Sequence, residues 1–175
     1  MSVAEFMINF LYDKGVRHVF TVSGGGSIFL CDALAKSQAE GRMKYIACHH
    51  EQAAGYAAEA YARLRGLAVC LVTSGPGGTN AVSACASAWL DSVPVIFISG
   101  QAFLKQTITG HPGLRQMGVQ EINIVDIVRP ITKGAMMLNS IADIWYLRTA
   151  CDLAITPRSG PVWLDVPGCI QNAPI

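Results

Sequence analysis

The stretch "KYIACHHEQAAGYAAEAYARLRG", Lys44 to Gly66, sets His49, His50 and Glu51 where a short apolar run meets a strip of alanines. Glu51 opens a helical pattern whose next turns carry Ala53, Ala54, Gly55, Ala57, Ala58, Ala60 and Ala62. So small a surface lets another backbone approach closely, which places the carboxylate in a tight seam. An ionised carboxylate there is costly unless a partner or ligand engages it, and one held away from bulk water is suited to sharing a proton. The plainer reading is a first-turn glutamate that favours the helix dipole by about 0.3–1 kcal/mol.

Three other stretches are chemically unusual: "SGGGS" (Ser23 to Ser27), "SGPGGTN" (Ser74 to Asn80) and "SGQ" (Ser99 to Gln101). Glycines let backbone N–H groups approach a phosphate at a helix N-terminus. Neither glycine-rich loop has the full signature, however. "SGGGS" does not spell GxGxxG, and the apolar "YIAC" offers no acidic residue to hold a ribose. "SGPGGTN" lacks the Lys-Ser/Thr pair of a P-loop. Both also read as tight strand-to-helix turns.

Alternating elements must position these residues. Val3 to Lys14 has apolar residues at helical spacing and stops at Gly15. "HVFTV" reads as a strand, Ser27 to Gln38 as a helix, "KYIAC" as a strand and Glu51 to Arg65 as a helix. "LAVCLVTS" is then a strand, Thr79 to Leu90 a helix, and "VPVIFIS" a strand rich in β-branched residues. Gly100 to Gln120 reads as a long loop, followed by a strand at Ile131 to Met136, a helix at Ile141 to Ile155 and the strand "PVWLDV". Continuous apolar strands alternating with helices predict an α/β fold: a three-layer single domain over residues 1–175 with about six parallel strands. All four unusual loops leave the C-terminal ends of strands, where open parallel sheets bind ligands.

Thirteen basic against twelve acidic residues, a net charge of +1, contain no basic run that would track nucleic acid or a membrane surface. The longest apolar runs are too short to span a bilayer, and "MSVAEFMINF" lacks the basic start and cleavage site of a signal peptide. The expectation is a cytoplasmic protein. Only 14% of residues are charged, which predicts a large contact with another chain or domain. Six scattered cysteines without a CxxC pair read as reduced core thiols rather than a metal site.

The segments "VRHVFTVSGGG", "HHEQAAGYAAEAYARLRG", "LVTSGPGGTNAVSACASAWLDSVPVIFISGQ" and "GPVWLDVP", in this order, resemble the N-terminal pyrimidine-binding domain of thiamine diphosphate enzymes. The acetohydroxyacid (acetolactate) synthase branch is the most similar. The resemblance runs from about Val3 to Pro167. It implies that Glu51 hydrogen-bonds N1′ of the cofactor's aminopyrimidine and favours the imino tautomer, which lets the cofactor deprotonate its own thiazolium C2. It further implies that Gly24 lies close to the cofactor, that Pro76 and Asn80 line the aminopyrimidine, and that Gln101 faces the reaction centre. His49, His50 and His111 are weaker candidates, because each can simply hold a strand end or a loop.

The departures are informative. Ser23 replaces a proline common in the first loop of the family, and "FLKQTITGHPGLRQMGVQE" differs from the synthase segment, although Gln120 and Glu121 resemble its end. Both changes leave the substrate open. No Gly-Asp-Gly followed by Asn-Asn occurs, so Mg²⁺ and the cofactor's diphosphate are expected on a domain outside this chain. The tail "QNAPI" reads as the start of a linker. FAD is possible in a full enzyme but is not expected on these residues. The expected partners are a second copy, through the helices after Glu51 and Gly78, and a diphosphate-binding domain or subunit. The expected function is the pyrimidine-binding half of a 2-oxo acid decarboxylase or carboligase, inactive alone. The alternatives are a non-catalytic dimerisation or regulatory module, or a natural subunit of a two-chain decarboxylase.

Overall fold

The computed structural model describes residues 1–111 and 113–175. Six strands form one sheet in the order β2-β1-β3-β4-β6-β5, and every pairing is parallel. The strands are β1 (His18–Thr21), β2 (Lys44–Ala47), β3 (Ala68–Val72), β4 (Val95–Gln101), β5 (Gly134–Met137) and β6 (Val162–Pro167). The helices are α1 (Val3–Asp13), α2 (Ile28–Ala39), α3 (Glu51–Arg65), α4 (Pro76–Leu90), α5 (Ile124–Val128), α6 (Tyr146–Ile155) and α7 (Gly168–Gln171). The expected three-layer α/β architecture is therefore observed.

Strand alternation divides the core in two. Val69, Leu71, Ile96, Ile98, Val162 and Leu164 face α1, α2 and α6, while Cys70, Val72, Phe97 and Trp163 face α3, α4 and α5. Local chemistry fixes the helix ends. Ser2 and Glu5 form a reciprocal capping box at the start of α1, and Gly15 takes a φ of +93° just beyond its end. Pro76 occupies the first turn of α4, where its missing N–H has no helical partner to lose.

The structure moves several expected boundaries. α4 starts at Pro76 rather than Thr79, and β4 runs on through Gly100 and Gln101 rather than ending at Ser99. The strand expected from Ile131 starts at Gly134, because Arg129–Ile131 form a 3-10 turn containing Pro130, which cannot donate to a ladder. The helix expected from Ile141 opens as a 3-10 turn capped by Ser140 and becomes α-helical at Tyr146. β2 is exposed throughout, as an edge strand that α2 flanks.

The alanine strip of α3 packs against α4 of the same chain. Ala54, Ala58 and Ala62 meet Ala81, Ala84, Cys85 and Ala88, all buried. At the tightest point a Cβ on Gly55 would lie 2.5 Å from the Ala84 Cβ. Gly55→Ala should thus lower stability by about 1–3 kcal/mol, because overpacking outweighs the up to about 1 kcal/mol of helix propensity it gains. Gly25→Ala, where an added Cβ meets nothing within 4 Å, should stay within about 0.5 kcal/mol of wild type. Urea unfolding of the two variants checks the contrast.

Candidate functional site

The connection from β1 goes to β2 on one side of the sheet, whereas that from β3 goes to β4 on the other. The loops after β1 and β3 consequently part above their strands, and this switch point is where open α/β sheets form a ligand crevice. Gly24 to Gly26 follow β1, Thr73 to Gly77 follow β3, and Glu51 follows the neighbouring β2.

Thr73 joins these loops. Its Oγ1 accepts the Gly26 N–H at 3.0 Å. A Cβ on Gly24 would fall 2.6 Å from the Thr73 Cβ, and one on Gly77 would fall 2.7 Å from the Thr73 Cγ2. Only glycine allows all three backbones to meet a threonine so closely.

Glu51 is the first residue of α3 and is only 9% exposed. Its Oε2 accepts from Asn80 Nδ2 at 2.9 Å, a charge-assisted bond across the α3–α4 seam. No hydrogen bond reaches Oε1 among the described residues. That oxygen borders the space where Gly77 lacks a side chain, and an added Cβ there would sit 3.3 Å away. The structure thus brings Glu51, Asn80 and, through Thr73, Gly24 into one cluster. Pro76 opens α4 with its ring exposed, three residues before Thr79, whose hydroxyl donates to the Pro76 carbonyl at 3.2 Å.

Gln101 ends β4 and lies 3% exposed on the next strand pair. It belongs to the same crevice because Gly100 packs directly on the Gly26 backbone, whose other side holds Thr73. A cavity of about 470 Å³ is lined by Gly25, Gly26, Ser74, Gln101, Phe103 and Gln120. A second, of about 440 Å³, lies beside Gln101, Glu121, Asn123, Arg129 and Asp165. Gln101 therefore borders both.

The histidines contribute less. His50 Nδ1 accepts from Gln52 N at 3.1 Å, which makes it the N-cap of α3. His49 is exposed, and His111 is exposed in a turn closed by its own N–H on Ile108 O at 2.8 Å. All six cysteines are unpaired; Cys70, Cys85 and Cys151 are buried, while Cys31, Cys48 and Cys169 are partly exposed. Burial pushes the buried thiols up, Cys151 to about 11, which keeps them inert. Among the described residues, no helix is long and apolar enough to cross a membrane. Nor do any three or more His, Cys, Asp or Glu side chains there group to hold a metal ion.

Sequence reasoning missed Thr73, Glu121 and Asp165. Glu121 accepts N–H bonds from Ile108, Met117 and Gly118, and so staples the loop after β4 to itself. Asp165 is 1% exposed and accepts from Ser99 Oγ at 2.6 Å and Gln101 Nε2 at 2.9 Å. Its signal was visible as a lone acid inside the apolar "PVWLDV".

The family model described as "Thiamine pyrophosphate enzyme, N-terminal TPP binding domain" matches residues 1–127. The chain belongs to this family. The chain is 38% identical over 169 residues to the acetolactate synthase large subunit of Buchnera aphidicola from Schizaphis graminum, covering 95% of this chain and 28% of that protein. It is 37% identical over 172 residues to the acetolactate synthase isozyme 1 large subunit of Escherichia coli K12, covering 97% and 29% respectively. With the acetolactate synthase of Arthrospira platensis it shares 37% over 171 residues, covering 97% and 28%. The chain thus spans under a third of the length of these relatives.

One consequence of the thiamine pyrophosphate domain's buried acid is directly measurable. Burial, reinforced by the nearby Glu121 charge, pushes Asp165 up to about 7 against the lowering pull of its Ser99 and Gln101 hydrogen bonds. The folded chain then holds this proton more tightly than the unfolded chain, whose aspartates titrate near about 4. Stability should be fullest below that value, fall as pH rises towards 7, and level off above it. Urea unfolding at pH 5 and pH 8 should show the wild type losing a few kcal/mol more than Asp165→Asn over that interval.

Proposed function

We propose that this chain forms the aminopyrimidine side of a thiamine diphosphate site in a 2-oxo acid decarboxylase or carboligase of the acetolactate synthase type. The observation that carries the reading is Glu51, a buried carboxylate with one oxygen held by Asn80 and the other without a hydrogen bond among the described residues. An aminopyrimidine fits this donor set. Its protonated ring nitrogen can donate to the remaining oxygen of Glu51, which no hydrogen bond reaches among the described residues.

Each residue then has a stated task. Asn80 fixes the Glu51 carboxylate by donating to Oε2, which leaves Oε1 to accept from a protonated ring nitrogen. Glu51 stands in the first turn of α3, where the helix dipole favours a negative side chain. The α3–α4 seam shields it from bulk water, so the proton is shared with the ring rather than with solvent. Gly24 and Gly77 let their backbones close on Thr73 beside the carboxylate, Pro76 sets the start of the helix carrying Asn80, and Gln101 faces the reacting end. Bound thiamine diphosphate supplies the electron sink for decarboxylation.

Mg²⁺ and the diphosphate belong, on this reading, to a domain outside this chain, which alone gives no turnover. FAD has no assigned role on these residues. A second copy docks on the outer faces of α3 and α4, where Leu64, Trp89 and Leu90 are exposed although the inner faces are filled within the chain. The setting is the cytoplasm.

The test uses the natural gene product that carries this chain, assayed with thiamine diphosphate, Mg²⁺ and pyruvate or 2-oxobutyrate. Glu51→Gln, which keeps the shape of the side chain and removes its charge, should lower kcat by about 10²–10⁴-fold with the fold intact. Turnover indifferent to Glu51→Gln would defeat the proposal.

A further inference from the structure

A buried polar network lies below Gln101. β4 and β6 pair in register, with Phe97 opposite Trp163, Ser99 opposite Asp165 and Gln101 opposite Pro167. Alternation puts Phe97, Ser99 and Gln101 on one face of β4, and Trp163 and Asp165 on the same face of β6. The two aromatic rings stack with centroids 5.1 Å apart and planes within 7°. Above them Trp163 Nε1 donates to Ser99 Oγ at 2.8 Å, Ser99 donates to Asp165 Oδ1, and Gln101 Nε2 donates to Asp165 Oδ2. The indole can only donate, and so it fixes the direction of the Ser99 hydroxyl.

Gln101 has its orientation set from both ends. Its Nε2 also donates to the Ile122 carbonyl at 3.0 Å, and its Oε1 accepts the Ala102 N–H at 3.0 Å. A backbone carbonyl and a backbone N–H each have one polarity, which settles which end of the amide is nitrogen. Both N–H groups are then occupied. Among the described residues, the only uncommitted valence of the amide is a lone pair on Oε1.

We propose that Asp165 is a positioning residue for Gln101: with the Ile122 carbonyl it takes both amide N–H groups, so that Gln101 meets a ligand only through Oε1. This edge of the site therefore accepts a hydrogen bond from a ligand hydroxyl or N–H and rejects a carboxylate or carbonyl oxygen at the same place. The inference rests on the proposed function insofar as Gln101 faces the reaction centre. The placement of the amide by Asp165 does not depend on that.

The experiment is a double-mutant cycle in the natural gene product, together with crystal structures of the variants. Asp165→Leu fills the space and accepts no hydrogen bond, and Gln101→Met removes the acceptor. Each should lower kcat/KM by about 10- to 100-fold, as misplacement of a substrate-facing group does, and the double variant should lose no more than Gln101→Met alone. Asp165→Asn, whose carbonyl can still accept from Gln101, should recover most of the activity. The structure of Asp165→Leu should show the Gln101 amide displaced, and that of Asp165→Asn should show it in place. Should the leucine variant not fold, Asp165→Ser, too short to reach Gln101, serves in the same cycle.

Losses that multiply in the double variant would overturn the proposal, as would a Gln101 amide that stays in place without an acceptor at position 165. Failure of the proposed function is separable. If Glu51→Gln leaves turnover intact, the crystallographic displacement of Gln101 still decides the role of Asp165.

Discussion

The site depends on close contact among the loops that follow β1 and β3 and the end of β4. Gly24 and Gly77 close on Thr73, Gly26 donates to the Thr73 hydroxyl, and Gly100 rests on the Gly26 backbone. A side chain at any of these points would push one loop away from the next, because packed loops cannot yield by the width of a methyl group without moving their strands. The glycines thus do more than make turns. They set the spacing between the Glu51 cluster and Gln101, which sit on separate strand pairs and would otherwise be two unrelated features.

Polarity within the sheet follows a gradient that the pairing register dictates. At the level of Phe97 and Trp163 the face towards α3, α4 and α5 is aromatic and dry. Two residues further along each strand it becomes Ser99 and Asp165, and two beyond that it reaches Gln101 at the crevice. A buried aspartate with no cation among its hydrogen-bond partners is expensive, which is why its proton is held so far above the usual carboxylate range. Its hydrogen bonds to Ser99 and Gln101 only partly offset that burial. Such a group marks a place where arrangement, rather than stability, governs the choice of residue.

The sheet, its parallel sense and the positions of α1 to α4 were legible because apolar strands and helical spacing recur without interruption up to Ser99. The later chain was less so. α5 and α7 are only five and four residues long, too short to show a helical period, and Pro130 disguised where β5 begins. Within the site, Glu51 stood out because an acid beside a run of alanines is locally odd. Thr73 did not, since a threonine at a strand end is unremarkable until Gly24 and Gly26 from the loop after β1 and Gly77 from its own connection are seen against it. Asp165 was visible as an acid in an apolar strand, but its partner Ser99 lies 66 residues away, and only the β4–β6 register connects them.

The position of Glu51 also explains why α3 carries so many alanines. Its carboxylate must lie low enough in the α3–α4 seam to meet Asn80, and the two helices come that close only because Gly55 faces Ala84. Larger residues along the strip would separate the helices, lengthen the Glu51–Asn80 bond and admit water to the carboxylate. Helix propensity alone would tolerate leucine or glutamate at most of these positions. The requirement is therefore steric, and it runs from the middle of α3 to its first residue. Closeness at Gly55 keeps one oxygen of Glu51 occupied and leaves the other, otherwise without a hydrogen bond among the described residues, to be satisfied by a ligand donor.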